Sequence, residues 1–175
     1  MSWDVSYYHT IDVGDTLVTA GRTVTEADVG SFAGVSGDDN RLHTDATSMA
    51  DSTFGERIAL GPLVFSMTTG LPWGRRPSEE RDAIVAFYGV DSLRFTGHTF
   101  VGNTIHVEST VAAKTPADRE DAAGIVRYET EVVDQDDETV LYCDPIVLFE
   151  CACRDGPKRV PSPFPHPKRP PSLQN

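Results

Sequence analysis

The C-terminal half of the chain contains four long segments in which apolar and polar residues alternate. This period of two is typical of β-strands that bury one face. The segments lie at residues 83–95, 103–113, 124–133 and 139–153. No helical pattern separates them, which predicts one antiparallel sheet in an α+β domain. Pro145 in the last segment predicts an edge strand or a bulge, because proline cannot donate a hydrogen bond to the ladder.

The apolar face of such a sheet must be covered, and residues 61–71 are the best apolar body for that purpose. Their apolar residues repeat with the period of a helix, and Gly61 followed by Pro62 is a suitable helix start. By elimination, we predict a hot-dog arrangement, in which the sheet curls around one central helix. The repeating positions are Leu60, Leu63, Val64, Met67 and Leu71, with Phe65 beside them.

At 175 residues the chain is long enough for one domain, which we place at residues 1–153. Residues 154–175 carry seven prolines, and there we expect a disordered basic tail. The first residues lack the basic and apolar regions of a signal peptide, and no apolar run approaches a membrane span, so we expect a cytoplasmic protein. The cysteines lie in the last strand segment, where we expect structural roles for Cys143, Cys151 and Cys153.

The chain is strongly acidic, with a formal net charge of −12, and Lys114 is the only lysine before the tail. Such a surface repels nucleic acid and anionic membranes, so we expect neither as a partner. High salt would screen the repulsion among the carboxylates.

A polar stretch at residues 36–45 contains three acids, an amide, a guanidinium and an imidazole. It follows an amphipathic helical segment that Thr25 is expected to cap and Gly37 to end. After it we expect a short helix over residues 46–54, capped by Asp45. Asp, Asn and Gly are the default residues of turns, so these residues alone leave a solvated loop and a catalytic loop open.

Several runs together make the sequence similar to the MaoC-like, (R)-specific enoyl-CoA hydratases. The family's signature Asp-x-Asn-Pro-Leu-His-x-Asp is present at residues 38–45, except that Arg41 replaces proline. The resemblance covers roughly residues 8–153 and is strongest over residues 14–71. The other matching runs are Gly14-Asp15, Arg22 to Asp28, Phe32-Ala33, Phe54 to Ala59, and Gly61.

The resemblance implies a hot-dog domain that pairs into homodimers and acts on acyl thioesters of CoA or of acyl carrier protein, without a metal or redox cofactor. It implies a catalytic pair at Asp38 and His43, which the amide of Asn40 helps to orient. It also places the backbone N–H of Gly61 on the thioester carbonyl, and a small hydroxyl residue near the site at Thr69.

The chemistry explains why a helix start suits this site. Adding water to an enoyl thioester builds negative charge on the thioester oxygen, which a helix N-terminus stabilises. Because Pro62 has no N–H, only Gly61 and Leu63 could donate there. We include Leu63 as a second oxyanion candidate and Ser66 as a substrate-binding candidate on the same helix.

Some residues depart from the family pattern or leave alternatives open. Arg41 either points outward or binds an acidic acyl group. Leu60 stands where many members have histidine. Arg75 and Arg76 either meet CoA phosphates or are exposed and solvated.

Three functions remain as hypotheses. The first is a lyase that hydrates trans-2-enoyl-CoA to (3R)-hydroxyacyl-CoA, or catalyses the reverse dehydration. A thioesterase on the same fold is disfavoured by the Asp-x-Asn-x-x-His pattern. A non-catalytic acyl-CoA-binding subunit stays open because of Arg41 and Leu60.

The acidic composition predicts a salt-dependent stability. We expect the thermal unfolding midpoint to be higher in molar KCl than in dilute buffer, because salt screens repulsion among like charges. Thermal unfolding followed by circular dichroism at several KCl concentrations measures this. Equal midpoints at low and high KCl would contradict it.

Overall fold

The fold is described from a computed structural model, for residues 7–116 and 122–150. The predicted tail and two of the cysteines, Cys151 and Cys153, lie outside these residues. The helices are α1 (Glu26–Ser36), α2 (Arg41–Thr44), α3 (Ala46–Ala50), α4 (Gly61–Gly70) and α5 (Ser78–Ala83). The strands are β1 (Thr16–Val18), β2 (Arg22–Thr23), β3 (Ile84–Phe95), β4 (Thr104–Pro116), β5 (Ala122–Val133) and β6 (Thr139–Glu150). Short 3-10 turns occur at Tyr7–Thr10 and Leu71–Gly74.

The strands form one antiparallel sheet in the order β1-β4-β5-β6-β3, with β2 paired to β4. The prediction of an α+β hot-dog domain is confirmed. The predicted alternation is also confirmed, because Val107 on β4 lies opposite Val132 on β5 and both are fully buried. One face of the sheet is therefore apolar and needs a cover.

The cover is α4, the helix predicted for residues 61–71, which ends at Gly70 and continues as a 3-10 turn. Its buried residues Leu63, Val64 and Met67 belong to one apolar cluster with Ile105 on β4 and Leu141 on β6. Fully burying one such side chain contributes roughly 1.5–3 kcal/mol, so this contact is a major stabilising element. The N-terminus of α4 is fixed by the same packing.

Capping residues set the start and end of α1 and the start of α3 as predicted. Thr25 and Asp28 form a capping box at the start of α1, and Gly37 ends α1 with φ of +75°. Asp45 caps α3 by accepting the N–H of Ser48. The predicted helix over residues 46–54 is shorter and ends at Ala50. The Ser52 hydroxyl bonds to backbone groups on both sides of it, which competes with the helix.

The expected edge position of Pro145 is wrong, since β6 lies between β5 and β3. The alternative, a local irregularity, fits the structure. The residue pairing between β6 and β5 is interrupted between Ile146 and Cys143. The pairing register between β6 and β3 shifts on both sides of Pro145. Cys143 is a free and fully buried thiol. Among the described residues, no helix is long and apolar enough to span a bilayer.

The left-handed cap at Gly37 yields a stability prediction. Gly37→Ala should lower the free energy of unfolding by roughly 1–2 kcal/mol, because a Cβ is strained at positive φ. Gly34 is the matched control, since it lies inside α1 with open space around its Cα. Gly34→Ala should instead stabilise by about 0.5–1 kcal/mol. Urea unfolding measures both, and equal effects at the two glycines would exclude the cap argument.

Candidate functional site

The imidazole of His43 is held at one end by the backbone. His43 lies on α2 with a side chain only 10% exposed, and its Nδ1 is 2.8 Å from the carbonyl oxygen of Ile58. A carbonyl oxygen can only accept, so Nδ1 carries the proton in neutral His43. The lone pair is then on Nε2, which faces Asp38. A second hydrogen bond joins the same two segments, since the Ile58 N–H donates to the carbonyl of Leu42.

The carboxylate of Asp38 lies 3.9 Å from this nitrogen, measured from Oδ2 to Nε2. That separation is too long for a direct hydrogen bond, and one water can contact both atoms. The Asp38 side chain is 50% exposed. The loop orients it, since Oδ1 accepts the Asn40 N–H and the Asp38 N–H donates to the Ser36 hydroxyl.

The side chain of Asn40 acts on the loop itself. Its Oδ1 accepts the N–H of Leu42 and so caps the N-terminus of α2. In the part of the chain that the structure describes, no hydrogen bond joins the side-chain amide of Asn40 to Asp38 or His43. The predicted orienting role of Asn40 would therefore act through α2, the turn of helix that presents His43.

The start of α4 lies beside His43. His43 and Gly61 both line a pocket of about 200 Å³. The Gly61 N–H has no acceptor among the described residues, whereas the Leu63 N–H is donated to the Leu60 carbonyl at 3.0 Å. This corrects the expectation for Leu63, because only Gly61 keeps a free donor. The remaining lining residues are Ile58, Ala59, Val64, Phe95, Gly97, His98, Thr99 and Val140.

The sequence patterns did not predict two aromatic residues that line this pocket. The Phe95 ring lies against Gly61 so closely that a Cβ there would be 2.9 Å from two ring atoms. His98 lines the pocket as well, and its ring packs edge-on against Phe54 with centroids 4.8 Å apart. Both come from the end of β3 and the turn after it. No pattern near residues 36–45 or 61–71 points to them.

The structure does not bring Ser66 and Thr69 into the His43 pocket. Ser66 donates its hydroxyl to the Pro62 carbonyl, and Thr69 donates its own to the Ser66 carbonyl. Both line a second cavity of about 390 Å³ beside the C-terminal half of α4. They share α4 with Gly61 but lie further along it.

The three candidate arginines differ in their surroundings. Arg41 and Arg75 are exposed, and Arg41 has no side-chain partner among the described residues. For Arg76 the expectation of an exposed, solvated side chain is wrong, because it is only 11% exposed, pairs with Glu80 and bonds to the Tyr128 hydroxyl. A contact of Arg76 with the substrate stays a prediction.

The sequence matches a known family over most of its length. The family described as MaoC like domain matches residues 3–133. The chain belongs to this family. Similar proteins are named (R)-specific enoyl-CoA hydratase and 3-hydroxybutyryl-CoA dehydratase, which links the family in general to hydration of enoyl-CoA. Within residues 7–116 and 122–150, no three His, Cys, Asp or Glu side chains are grouped as metal ligands would be.

Two relatives show how far the similarity extends. The chain is 40% identical over 111 residues to Protein MaoC of Klebsiella aerogenes, covering 62% of this chain and 31% of that protein. It is 29% identical over 110 residues to an (R)-specific enoyl-CoA hydratase of Rhodospirillum rubrum, covering 63% and 72%. The chain thus spans about a third of the first relative's length.

Solved structures agree on the fold. A monoamine oxidase regulatory protein from Archaeoglobus fulgius superposes with a TM-score of 0.73 at 32% identity, covering 82% of this chain and 93% of that one. The unliganded R-hydratase PhaJ1 from Pseudomonas aeruginosa gives a TM-score of 0.68 at 30% identity, covering 81% and 84%.

The hydrogen bond from His43 to Ile58 predicts a tautomer. Neutral His43 should carry its proton on Nδ1, because the Ile58 carbonyl can only accept. His106 is the internal control, since its Nε2 lies 3.1 Å from the Glu108 carboxylate and should be the protonated nitrogen there. Nitrogen-15 NMR of the imidazoles distinguishes the two forms. An Nε2–H tautomer at His43 would contradict the assignment.

Proposed function

We propose that this chain is a lyase that hydrates trans-2-enoyl-CoA to (3R)-hydroxyacyl-CoA, or catalyses the reverse dehydration. One observation supports this most strongly. The free Nε2 of His43 and the carboxylate of Asp38 can share one water, and Gly61, whose N–H has no acceptor among the described residues, lines a pocket together with His43. The stereochemistry and the CoA carrier rest on the similarity to proteins named (R)-specific hydratases.

The proposed reaction needs a base, an acid and an anion-binding donor. Asp38 and His43 together hold the water and accept its proton as the water oxygen bonds to the β-carbon of the enoyl group. Negative charge moves to the thioester oxygen, where the Gly61 N–H and the N-terminus of α4 stabilise it. The protonated base then returns the proton to the α-carbon. A single donor in such a site is worth about 3 kcal/mol.

The atoms of this reaction balance without a metal or redox group, and none is proposed. Burial and the Ile58 hydrogen bond would hold His43 in the correct tautomer before the substrate arrives. Dehydration would use the same groups in the opposite order. We propose no second function.

We also propose a homodimer. β3 is the last strand in the sheet order, and its side chains Phe87 and Phe95 remain 45% and 51% exposed. A strand at the end of the sheet order with exposed aromatic residues favours association with another chain. Phe95 also lines the His43 pocket, so the second copy would lie next to the proposed catalytic site.

The catalytic assignment predicts large losses at two positions. Asp38→Asn and His43→Ala should each lower kcat by roughly a hundredfold or more, because each removes a group that handles the water's proton. The assay follows loss of the enoyl-thioester absorbance with short trans-2-enoyl-CoAs. Asp39→Asn is the matched control, since this neighbouring carboxylate is exposed and has no side-chain hydrogen bond among the described residues.

The control should keep kcat within about a factor of two, the size expected for an exposed substitution. Full activity in both the Asp38 and His43 variants would reject the catalytic assignment. Release of free thiol from saturated acyl-CoAs, without hydration, would indicate a thioesterase instead.

A further inference from the structure

A band of polar side chains interrupts the apolar inner face of the sheet. Ser109 on β4 lies opposite Thr130 on β5, and their buried hydroxyls are 2.6 Å apart. The pair separates two apolar clusters, one containing Val107 and the other containing Val111. Hydroxyls bring little to core packing, so their position beside an open cavity calls for another explanation.

A buried ionic group lies next to this pair. Arg76 Nη1 donates to Glu80 and to the Tyr128 hydroxyl, and its guanidinium lies 5.2 Å from the centre of the Tyr128 ring. The Tyr7 hydroxyl donates to the other oxygen of Glu80 at 3.1 Å. The cluster therefore fixes Arg76 and Tyr128 in position.

Some donors of this cluster are left over. Arg76 Nε and Nη2 have no acceptor among the described residues, and neither is a fully buried unsatisfied atom, so each keeps some accessible surface. The Tyr128 hydroxyl accepts from Arg76 and keeps its own proton to donate. These groups are prearranged for a ligand oxygen.

Arg76 and Tyr128 line the cavity beside α4, whose other walls are mostly apolar. Its volume is about 390 Å³, and Arg76 and Tyr128 both line it together with the hydroxyl pair. Such an apolar cavity with a few convergent polar groups is typical of a small-molecule site. The apolar walls are Phe65, Pro72, Trp73, Ile84, Phe87, Pro145 and Val147.

One face of α4 connects this cavity with the proposed catalytic site. Gly61, Phe65 and Thr69 are four residues apart and so lie on the same side of the helix. The distance from the first to the last is about 12 Å along the helix axis. An acyl chain whose thioester oxygen meets the Gly61 N–H and which follows this face ends in the cavity.

The charge of the cluster indicates which chain end fits. Arg76 and Glu80 cancel, and burial raises the pKa values of Tyr128 and Tyr7, which keeps both phenols neutral at neutral pH. A carboxylate would add an uncompensated charge to this buried group, whereas a plain methyl end would leave the free donors without a partner.

We propose that this cavity binds the distal end of the acyl chain and selects chains that carry a neutral oxygen there, a hydroxyl or a ketone. This deepens the proposed function, on which it rests for placing the thioester at Gly61. Tyr128 and Arg76 donate to the oxygen, and the apolar walls hold the carbons before it. Tyr128 is the specificity-determining residue because it lines the cavity and its hydroxyl, which accepts from Arg76, keeps a proton to donate.

The test compares medium-chain trans-2-enoyl-CoAs of equal length that end in a hydroxyl, a methyl or a carboxylate. The wild type should turn over the hydroxyl form with a kcat/KM about tenfold above the methyl form, the size of one buried hydrogen bond. Tyr128→Phe should bring that ratio close to one. Tyr8→Phe is the matched control, because Tyr8 is an equally buried tyrosine that does not line the cavity, and it should keep the ratio.

Binding of the corresponding saturated acyl-CoAs, measured by calorimetry, separates the two proposals. Selective binding of the hydroxyl form without any turnover would refute the lyase and support the cavity. Turnover of all three chains at similar kcat/KM would support the lyase and overturn the selectivity. A preference for the carboxylate, or a ratio that Tyr128→Phe leaves unchanged, would also overturn it.

Discussion

The structure depends on one packing constraint: a single antiparallel sheet has one apolar face, and one short helix must cover it. α4 does so with Leu63, Val64 and Met67. A helix of ten residues buried along one side leaves its N-terminus and its opposite side accessible. Those two features are the ones that the proposed chemistry uses, so the element that stabilises the fold also forms the site.

A short segment before α4 links that helix to the loop that carries the proposed catalytic pair. Ile58 accepts from the His43 ring and donates to Leu42, while the next residue, Ala59, donates to the Thr99 carbonyl. The segment therefore joins α2, the turn after β3 and the start of α4. Because Ile58 is only three residues before Gly61, few backbone torsions separate the two, and this fixes the His43 imidazole relative to the Gly61 N–H.

Burying polar groups inside the sheet lowers stability, and packing alone does not explain why these groups are there. Burying the Arg76–Glu80 pair removes two charges from water, and a well-packed apolar replacement would commonly be as stable or more so. Arg76 also keeps donors without an acceptor among the described residues, and it lines a cavity next to α4. A selective role for the acyl end accounts for both features, and the exposed Arg41 is not needed for it.

The sequence by itself determined the parts whose signals are local. Strand alternation, the apolar period of α4, and the caps at Thr25, Gly37 and Asp45 depend on neighbouring residues, and the structure agrees with them. The motif at residues 38–45 pointed to a catalytic loop only through its resemblance to a family signature, and that role stays a prediction. The helix expected to reach residue 54 ends earlier, because the Ser52 side chain competes for backbone hydrogen bonds.

Only the tertiary structure decided what depends on contacts between distant segments. Pro145 lies in an interior strand, Arg76 is buried against Glu80 and Tyr128, and the Phe95 ring lies over Gly61. The division of the predicted site is of the same kind, with Gly61 in the His43 pocket and Ser66 and Thr69 in a second cavity. Periodicity and motifs describe one stretch of chain at a time, whereas burial and pairing follow from how the sheet closes around α4.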